Sequence, residues 1–494
     1  MNSSTRLDDA SSVGKRIPSP GLPRLILYGS GEAATSLVLN GLYGFALIFY
    51  TEALGLSPAL AGIALSISIF WEAITEPYMG YVSDRTRNRF GTRFPWIAAG
   101  GAALAVTFYF IWAVPQAFRG GGVATFAYLV LLNILLRTSL TMFVVPYLAL
   151  GFEIAPEYDD RPRLQGVRWV CNMAANMAGP ALAWIVFFKD RHGPDGRVIP
   201  GTSIVQNFTT MGLAFSIAIV LLTALMLWGC RSAARDTRLG AARAPLAHAV
   251  GFWAGFKPIL KDRDVFRVLI LIFLMVVGMV IVSSMQSYLY VHFMVFSGGQ
   301  KTIVHGSTMV AAAIGAVISP WAARRFDKKG AVIFGALIGI VGQVGLAALF
   351  LPGWIPRAGV AAILPYIFFQ GLYWVASGIV LPVATAMIAD IAELGRLRTN
   401  RSVEGSYSAI FSLAWRMGTS LALLLTGVLL GFAGFHANSG SAPSPDVMWR
   451  IMALYTLIGA LFYVFAIVWV RGYTLDRARY RAATTGASSP DEAP

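Results

Sequence analysis

Leu65-Ser-Ile-Ser-Ile-Phe-Trp-Glu72-Ala-Ile-Thr-Glu76-Pro-Tyr-Met-Gly80 places two glutamates one helical turn apart in an otherwise apolar segment. Tyr81-Val-Ser-Asp84-Arg-Thr-Arg-Asn-Arg-Phe-Gly-Thr-Arg93-Phe-Pro95 follows at once. A carboxylate in hydrocarbon is expensive, and ionisable groups inside a membrane mark ion or substrate pathways. The i,i+4 spacing puts both acids on one helix face, where they can share a cation or a proton. The stretch therefore predicts a membrane helix with an ion-coupling role.

Composition carries the reading to the whole chain. Its 494 residues are 56% hydrophobic and 13% charged, with a mean hydropathy of +0.65, which excludes an ordinary soluble protein. Apolar stretches long enough to cross a hydrocarbon core of roughly 30 Å recur along its length. Twelve are expected, at 25–53, 57–82, 95–115, 122–152, 166–188, 207–230, 265–296, 302–325, 330–352, 359–391, 404–433 and 447–471. The formal charge of +15 does not point to nucleic acid, because Lys and Arg fall in alternate loops. That is the positive-inside pattern. It predicts a multi-pass protein of the inner (plasma) membrane with both termini cytoplasmic, and the loop 189–197 is its main exception. Only Cys171 and Cys230 occur, and they read as buried thiols without a disulfide.

Residues 1–22 are polar and lack an apolar signal core, so they read as a disordered tail. The polar interval 231–264 divides the spans into bundles at 23–230 and 265–475, followed by a tail at 476–494. Equal halves with a site between them at the midplane are a transporter architecture. A weak internal echo supports the division: Asp84 with Arg85 after the second span, and Asp327 amid Arg324, Arg325, Lys328 and Lys329 after the eighth.

Glu72 through Pro95 resembles the signature of the glycoside–pentoside–hexuronide:cation symporters. Further stretches agree in order and spacing. They are Tyr28-Gly29 with Phe49-Tyr-Thr-Glu-Ala-Leu-Gly-Leu-Ser57, Val145-Pro146-Tyr147 with Arg161 to Arg168, and Ala389-Asp390 through Gly405 with Trp415-Arg416-Met-Gly418. The resemblance implies the all-helical major facilitator fold, twelve helices in two pseudo-symmetric bundles of six. It also implies Na⁺- or H⁺-coupled import of a sugar, glycoside or uronate by alternating access. In the family, two second-span acids and a fourth-span threonine hold the coupling cation. Here these are Glu72, Glu76 and Thr141, the Na⁺ ligands if sodium couples. Arg416 matches a basic eleventh-span residue and reads as a fixed countercharge. Two glutamates against one arginine leave one negative charge for a cation or proton to neutralise.

The expected sugar site departs from the pattern. Positions where the family's galactoside carriers have acids are Ser36 and Val144 here, while Arg168 matches the family's arginine. Other expected substrate contacts are Gln286 on the seventh span and Gln370 with Trp374 on the tenth, beside Tyr373; helix packing is the alternative for each. Arg137, mid-span, is open between Glu32, Glu76 and a substrate anion, and a structural ion pair of Glu72 and Glu76 with Arg416 or Arg137 is the alternative to an ion site. Asp84, Arg85, Arg89, Arg93, Asp390, Arg401 and Glu404 are expected to form cytoplasmic gating pairs. The histidines show no metal-ligand spacing and no phosphate-binding loop occurs, so an enzyme is not expected. Expected partners are a small-molecule substrate and the bilayer, with the monomer as the working unit and no cofactor beyond the coupling ion. A lysolipid cargo is the alternative within the same fold. A receptor without transport is the alternative outside it.

Overall fold

The computed structural model describes residues 20–86, 93–155, 160–192, 198–240, 262–357, 359–399, 404–436, 443–477 and 479–480. Eleven long helices carry these residues: α1 (Leu22–Gly41), α2 (Pro58–Arg85), α3 (Phe94–Trp112), α4 (Val123–Ile154), α5 (Asp160–Leu182), α6 (Val205–Gly240), α7 (Arg263–Tyr288), α8 (Gly298–Phe350), α9 (Val360–Thr399), α10 (Glu404–Phe432) and α11 (Pro445–Val470). A two-residue antiparallel ribbon, Arg191–His192 with Val198–Ile199, is the only sheet among them. Helix is the outcome physics demands, because a lipid-exposed backbone must satisfy its own N–H and C=O groups. Among the described residues, ten stretches are long and apolar enough to cross a membrane. Their outer faces carry large apolar side chains such as Phe70, Val317 and Leu364.

Local chemistry sets the helix starts. Ser57 caps α2 ahead of Pro58, accepting from the Leu60 N–H. Ser297 and Gln300 form a reciprocal capping box on α8, Asp262 caps α7, and Ser444 caps α11 ahead of Pro445. As one straight helix the 53 residues of α8 would span about 80 Å, far more than one bilayer crossing. Its backbone breaks at Asp327, with φ 60° and ψ 170°. Asp327 Oδ1 accepts from the Lys328 N–H, and Oδ2 accepts from the Arg477 N–H. The break falls between the expected spans 302–325 and 330–352. Conversely, α6 continues to Gly240, into the stretch expected to be linker.

The packing falls into two groups. α1 lies against α5 and α6, α3 against α4 and α6, and α2 against α4; α7 lies against α10 and α11, and α8 against α9 and α11. The groups meet where α2 crosses α10, where the turn after α1 touches α7, and where the end of α5 reaches α8. The first crossing is backbone-tight. A Cβ on Gly62 would stand 2.7 Å from the Leu423 carbonyl oxygen, and one on Gly427 would stand 2.2 Å from that of Pro58.

The ends of α1 and α7 repeat one another. Each continues into a π-helical turn, Phe49–Ala53 after α1 and Leu289–Phe293 after α7. A residue with positive φ follows (Gly55 or Val295), then the capping serine (Ser57 or Ser297). A shift of 240 residues superimposes Glu52 on His292.

Candidate functional site

Glu72 and Glu76 lie about 21 Å and about 27 Å along the α2 axis from Pro58, around the middle of the helix. Glu72 is 5% exposed. Its Oε2 accepts from Arg137 Nη1 of α4 at 2.8 Å, and its Oε1 pairs with Arg416 Nη1 of α10 at 2.8 Å. The other arm of Arg416, Nη2, donates to Glu76. One guanidinium thus forks across both glutamates from the opposite helix group, a geometry suited to arginine's planar donors. Higher on the same crossing, Ser66 and Ser420 hydroxyls bond at 2.7 Å. Pro77 follows directly and removes the backbone donor for the Ala73 carbonyl, loosening α2 beside the acids.

Two expectations change here. Arg137 pairs with Glu72, leaving neither Glu32 nor Glu76 as its partner. The cluster therefore contains two carboxylates and two guanidiniums, and the expected surplus negative charge is absent. The Tyr43 ring centroid lies 5.6 Å from the Arg137 guanidinium carbon. Thr141, one turn beyond Arg137, is 2% exposed, and its hydroxyl has no hydrogen-bond partner among the described residues.

Glu32 belongs to a second polar strip, between α1 and α5. Arg168 Nη2 meets Glu32 Oε2 at 2.5 Å, and Asn172 donates to Glu32 Oε1 at 3.4 Å. The Ser36 hydroxyl donates to the Asn172 carbonyl at 3.3 Å and accepts from Asn40 at 3.2 Å. Ser36, expected at the substrate, therefore ties helices together in this structure. Arg168 sits 5.5 Å from the Tyr147 ring, which stacks on Tyr28.

In the second helix group the buried polar groups are amides and phenols. Gln370 is wholly buried and accepts from Gln343 at 3.3 Å, leaving its own amide nitrogen unpartnered among the described residues. The Trp374 indole nitrogen is likewise buried and unpartnered. Gln286 donates to the Tyr290 hydroxyl one turn along. The Tyr373 carbonyl accepts from the Tyr463 hydroxyl at 3.0 Å, so Tyr373 packs toward α11.

At the α1/α7 ends, contacts between the groups close the molecule, and the sequence reading missed them. Glu52 pairs with His292 and accepts from Thr202 at 2.9 Å. The Thr51 and Tyr288 hydroxyls bond at 2.7 Å. Lys301 Nζ stands 4.6 Å from the Trp184 ring centroid. Glu52 satisfies the same intramembrane-acid rule that singled out Glu72, and the 240-residue repeat pairs it with His292.

The ion pairs described at the opposite end stay within one helix group. Arg93 holds Glu153 at 2.6 Å, Lys328 holds Asp390, and the Arg85 guanidinium lies 3.8 Å from the Tyr81 ring centroid. Of the other expected gating residues, Arg89 and Arg401 lie outside the described residues, as do the side chains of Asp84 and Glu404.

The comparisons with known proteins agree with this architecture. Residues 27–477 match the MFS/sugar transport protein family. The glucuronide carrier protein homolog of Escherichia coli is 23% identical over 90% of this chain and 91% of its own. The sodium-dependent lysophosphatidylcholine symporter 1 of Xenopus tropicalis is 23% identical over 85% and 81%. The crystal structure of a D-xylose-proton symporter superposes with a TM-score of 0.59 at 15% identity, covering 92% of this chain and 98% of that one. With the acid pair on α2 and its arginine on α10, this chain belongs to the MFS/sugar transport protein family, among the glycoside–pentoside–hexuronide:cation symporters of the major facilitator superfamily.

Proposed function

We propose that the protein is a secondary active symporter that couples inward movement of a sugar, glycoside or uronate to a cation. The observation that carries this reading is Arg416 forking across Glu72 and Glu76. The link joins the two helix groups at mid-membrane, so any ion that changes the acid pair also changes how the groups hold together. That is a coupling free energy between ion binding and reorientation. The amides and indole of the second group supply the neutral hydrogen bonding that mixed apolar and polar ligand sites use. Glu72, Glu76, Thr141 and Arg416 form the coupling site in this reading, and Gln286, Gln370 and Trp374 line the sugar path.

The finer architecture belongs to the same proposal. Counting α1 with its π-turns as one span and α8 as two, the chain has twelve spans in bundles of six, at 23–230 and 265–475. Loop charge puts both termini in the cytoplasm, and the monomer is the working unit. The end sealed by Glu52 and His292 then faces outward, making this an inward-facing state. Cytoplasmic pairs among Asp84, Arg85, Arg89, Arg93, Asp390, Arg401 and Glu404 form when the carrier turns outward.

A lysolipid cargo is the second reading. An apolar groove of about 540 Å³ beside Leu22, Ile26, Val167 and Val170, with Arg163 at its lining, supports it. Against it, Arg137 and Arg168, the two arginines suited to a headgroup phosphate, both hold glutamates. Thermal melting of the purified protein with methyl glycosides, glucuronides and lysophosphatidylcholine separates the readings, because a ligand of the folded state raises its stability. A rise with one glycoside class supports sugar symport. A rise with lysophosphatidylcholine alone replaces it with the second reading.

A further inference from the structure

The acid pair has four carboxylate oxygens, and three are taken by guanidinium groups. Arg137 holds Glu72 Oε2, and Arg416 holds Glu72 Oε1 and Glu76 Oε1. Glu76 Oε2 has no guanidinium on it, the buried Thr141 hydroxyl has no partner among the described residues, and Pro77 leaves the Ala73 carbonyl without its helical donor. An alkali cation stripped of water is held by several oxygens at once, as hard cations are. These three oxygens, spread over two helices, do not make such a cage, and both guanidiniums repel a metal ion brought between them. The charged and titratable groups facing the acids are Arg137 from α4, Arg416 from α10 and Tyr43 from the segment after α1. None of these is a carboxylate that could replace the occupied oxygens.

The residues present therefore do not fit a sodium ion. We propose that Arg137 is the ion-specificity residue of this transporter: its guanidinium occupies the place on Glu72 that sodium requires, making the carrier sodium-independent. This inference rests on the symport reading and deepens it. With sodium excluded, a proton is the remaining coupling ion, and it needs a single oxygen rather than a cage. The Arg137→Gln substitution reverses the exclusion. It frees Glu72 Oε2, adds an amide oxygen one turn from the Thr141 hydroxyl, and leaves one uncompensated negative charge.

The test is sodium binding to the full-length protein, read as melting temperature in sodium chloride against choline chloride at equal ionic strength. The wild type is expected to melt identically in both salts, and Arg137→Gln to gain a saturable rise with sodium alone. A saturable, sodium-selective rise in the wild type overturns the proposal. If Arg137→Gln does not fold, transport by wild-type proteoliposomes decides, with 4-nitrophenyl β-D-glucuronide and methyl glycosides as probes. An inward proton gradient without sodium is expected to drive accumulation of roughly tenfold per pH unit, the ratio set by an equal exchange of free energies. Accumulation driven only by a sodium gradient refutes the role of Arg137 while leaving symport intact. Movement of none of the probes under either gradient refutes sugar symport, and the salt-dependent melt of the wild type still judges the ion.

Discussion

The two helix groups bury different chemistry. The first is ionic inside, with Glu32, Glu72, Arg137 and Arg168 all held in pairs. The second buries mainly neutral groups, Gln286, Gln343, Gln370 and the phenols of Tyr290, Tyr366, Tyr455 and Tyr463, with Lys301 near its sealed end as a charged exception. At the α2–α10 crossing, Arg416 carries charge from the second group into the first. Ions need full charges or many oxygens to leave water, whereas sugar hydroxyls need neutral donors and acceptors. In the proposed reading the difference is a division of labour, with ion handling on one side, substrate hydrogen bonding on the other, and Arg416 tying them at the acid pair.

Substitutions that break this contrast are expected to differ in size. Glu72→Gln strands Arg137 and half of Arg416 in a buried site. Breaking such a pair costs about 3–5 kcal/mol, so a large fall in melting temperature and loss of gradient-driven accumulation are expected. Unchanged stability would mean that the pairs are solvated. Gly427→Ala drives a Cβ against the Pro58 carbonyl at the α2–α10 crossing. Overpacking of this kind costs about 1–3 kcal/mol, and here it acts on one conformational state. Spin labels on Ser57 and Ser297 are expected to move apart, and an unchanged distance would show that the crossing yields elsewhere.

Trp374→Phe removes a buried, unpartnered indole N–H. An apparent KM raised several-fold is expected, equivalent to one hydrogen bond of about 1 kcal/mol, with ion dependence unaltered. An altered ion dependence would erase the division between the groups. Smallest of all is Val295→Gly at a left-handed turn, φ 51°. Relief of about 1–2 kcal/mol of backbone strain is offset in part by glycine's greater unfolded freedom, of about 0.4–1 kcal/mol. A slight rise in melting temperature with unchanged transport is expected, and a fall would mean that the valine side chain holds the seal.

What could be read from the sequence was what short windows encode. Spans follow from apolar runs, and the Glu72–Glu76 face follows from i,i+4 spacing. The α8 break follows from Asp327 amid its basic neighbours. The Arg416 countercharge came through the resemblance, and in the structure Arg416 meets both glutamates. Which of its candidate partners Arg137 takes was not legible, because it depends on how α4 is rotated against α2, which a helix this uniformly apolar does not reveal. Ser36, placed beside substrate by alignment, instead meets Asn172 because α1 and α5 pack closely along their polar strip. The Glu52–His292 seal joins residues 240 positions apart. Its signal existed in the repeated Tyr-x-acid/His and Ser-cap pattern of Tyr50, Glu52 and Ser57 against Tyr290, His292 and Ser297.

The central claim is that the acid pair converts an ion gradient into substrate accumulation. Glu76→Gln tests it directly, since Glu76 is the less buried acid, and Glu72 retains both of its arginines without it. The measurement is glycoside uptake by proteoliposomes under an imposed cation gradient, beside exchange of labelled for unlabelled glycoside without one. The account predicts that wild type accumulates and exchanges, while Glu76→Gln exchanges but does not accumulate. Full accumulation by Glu76→Gln would contradict it.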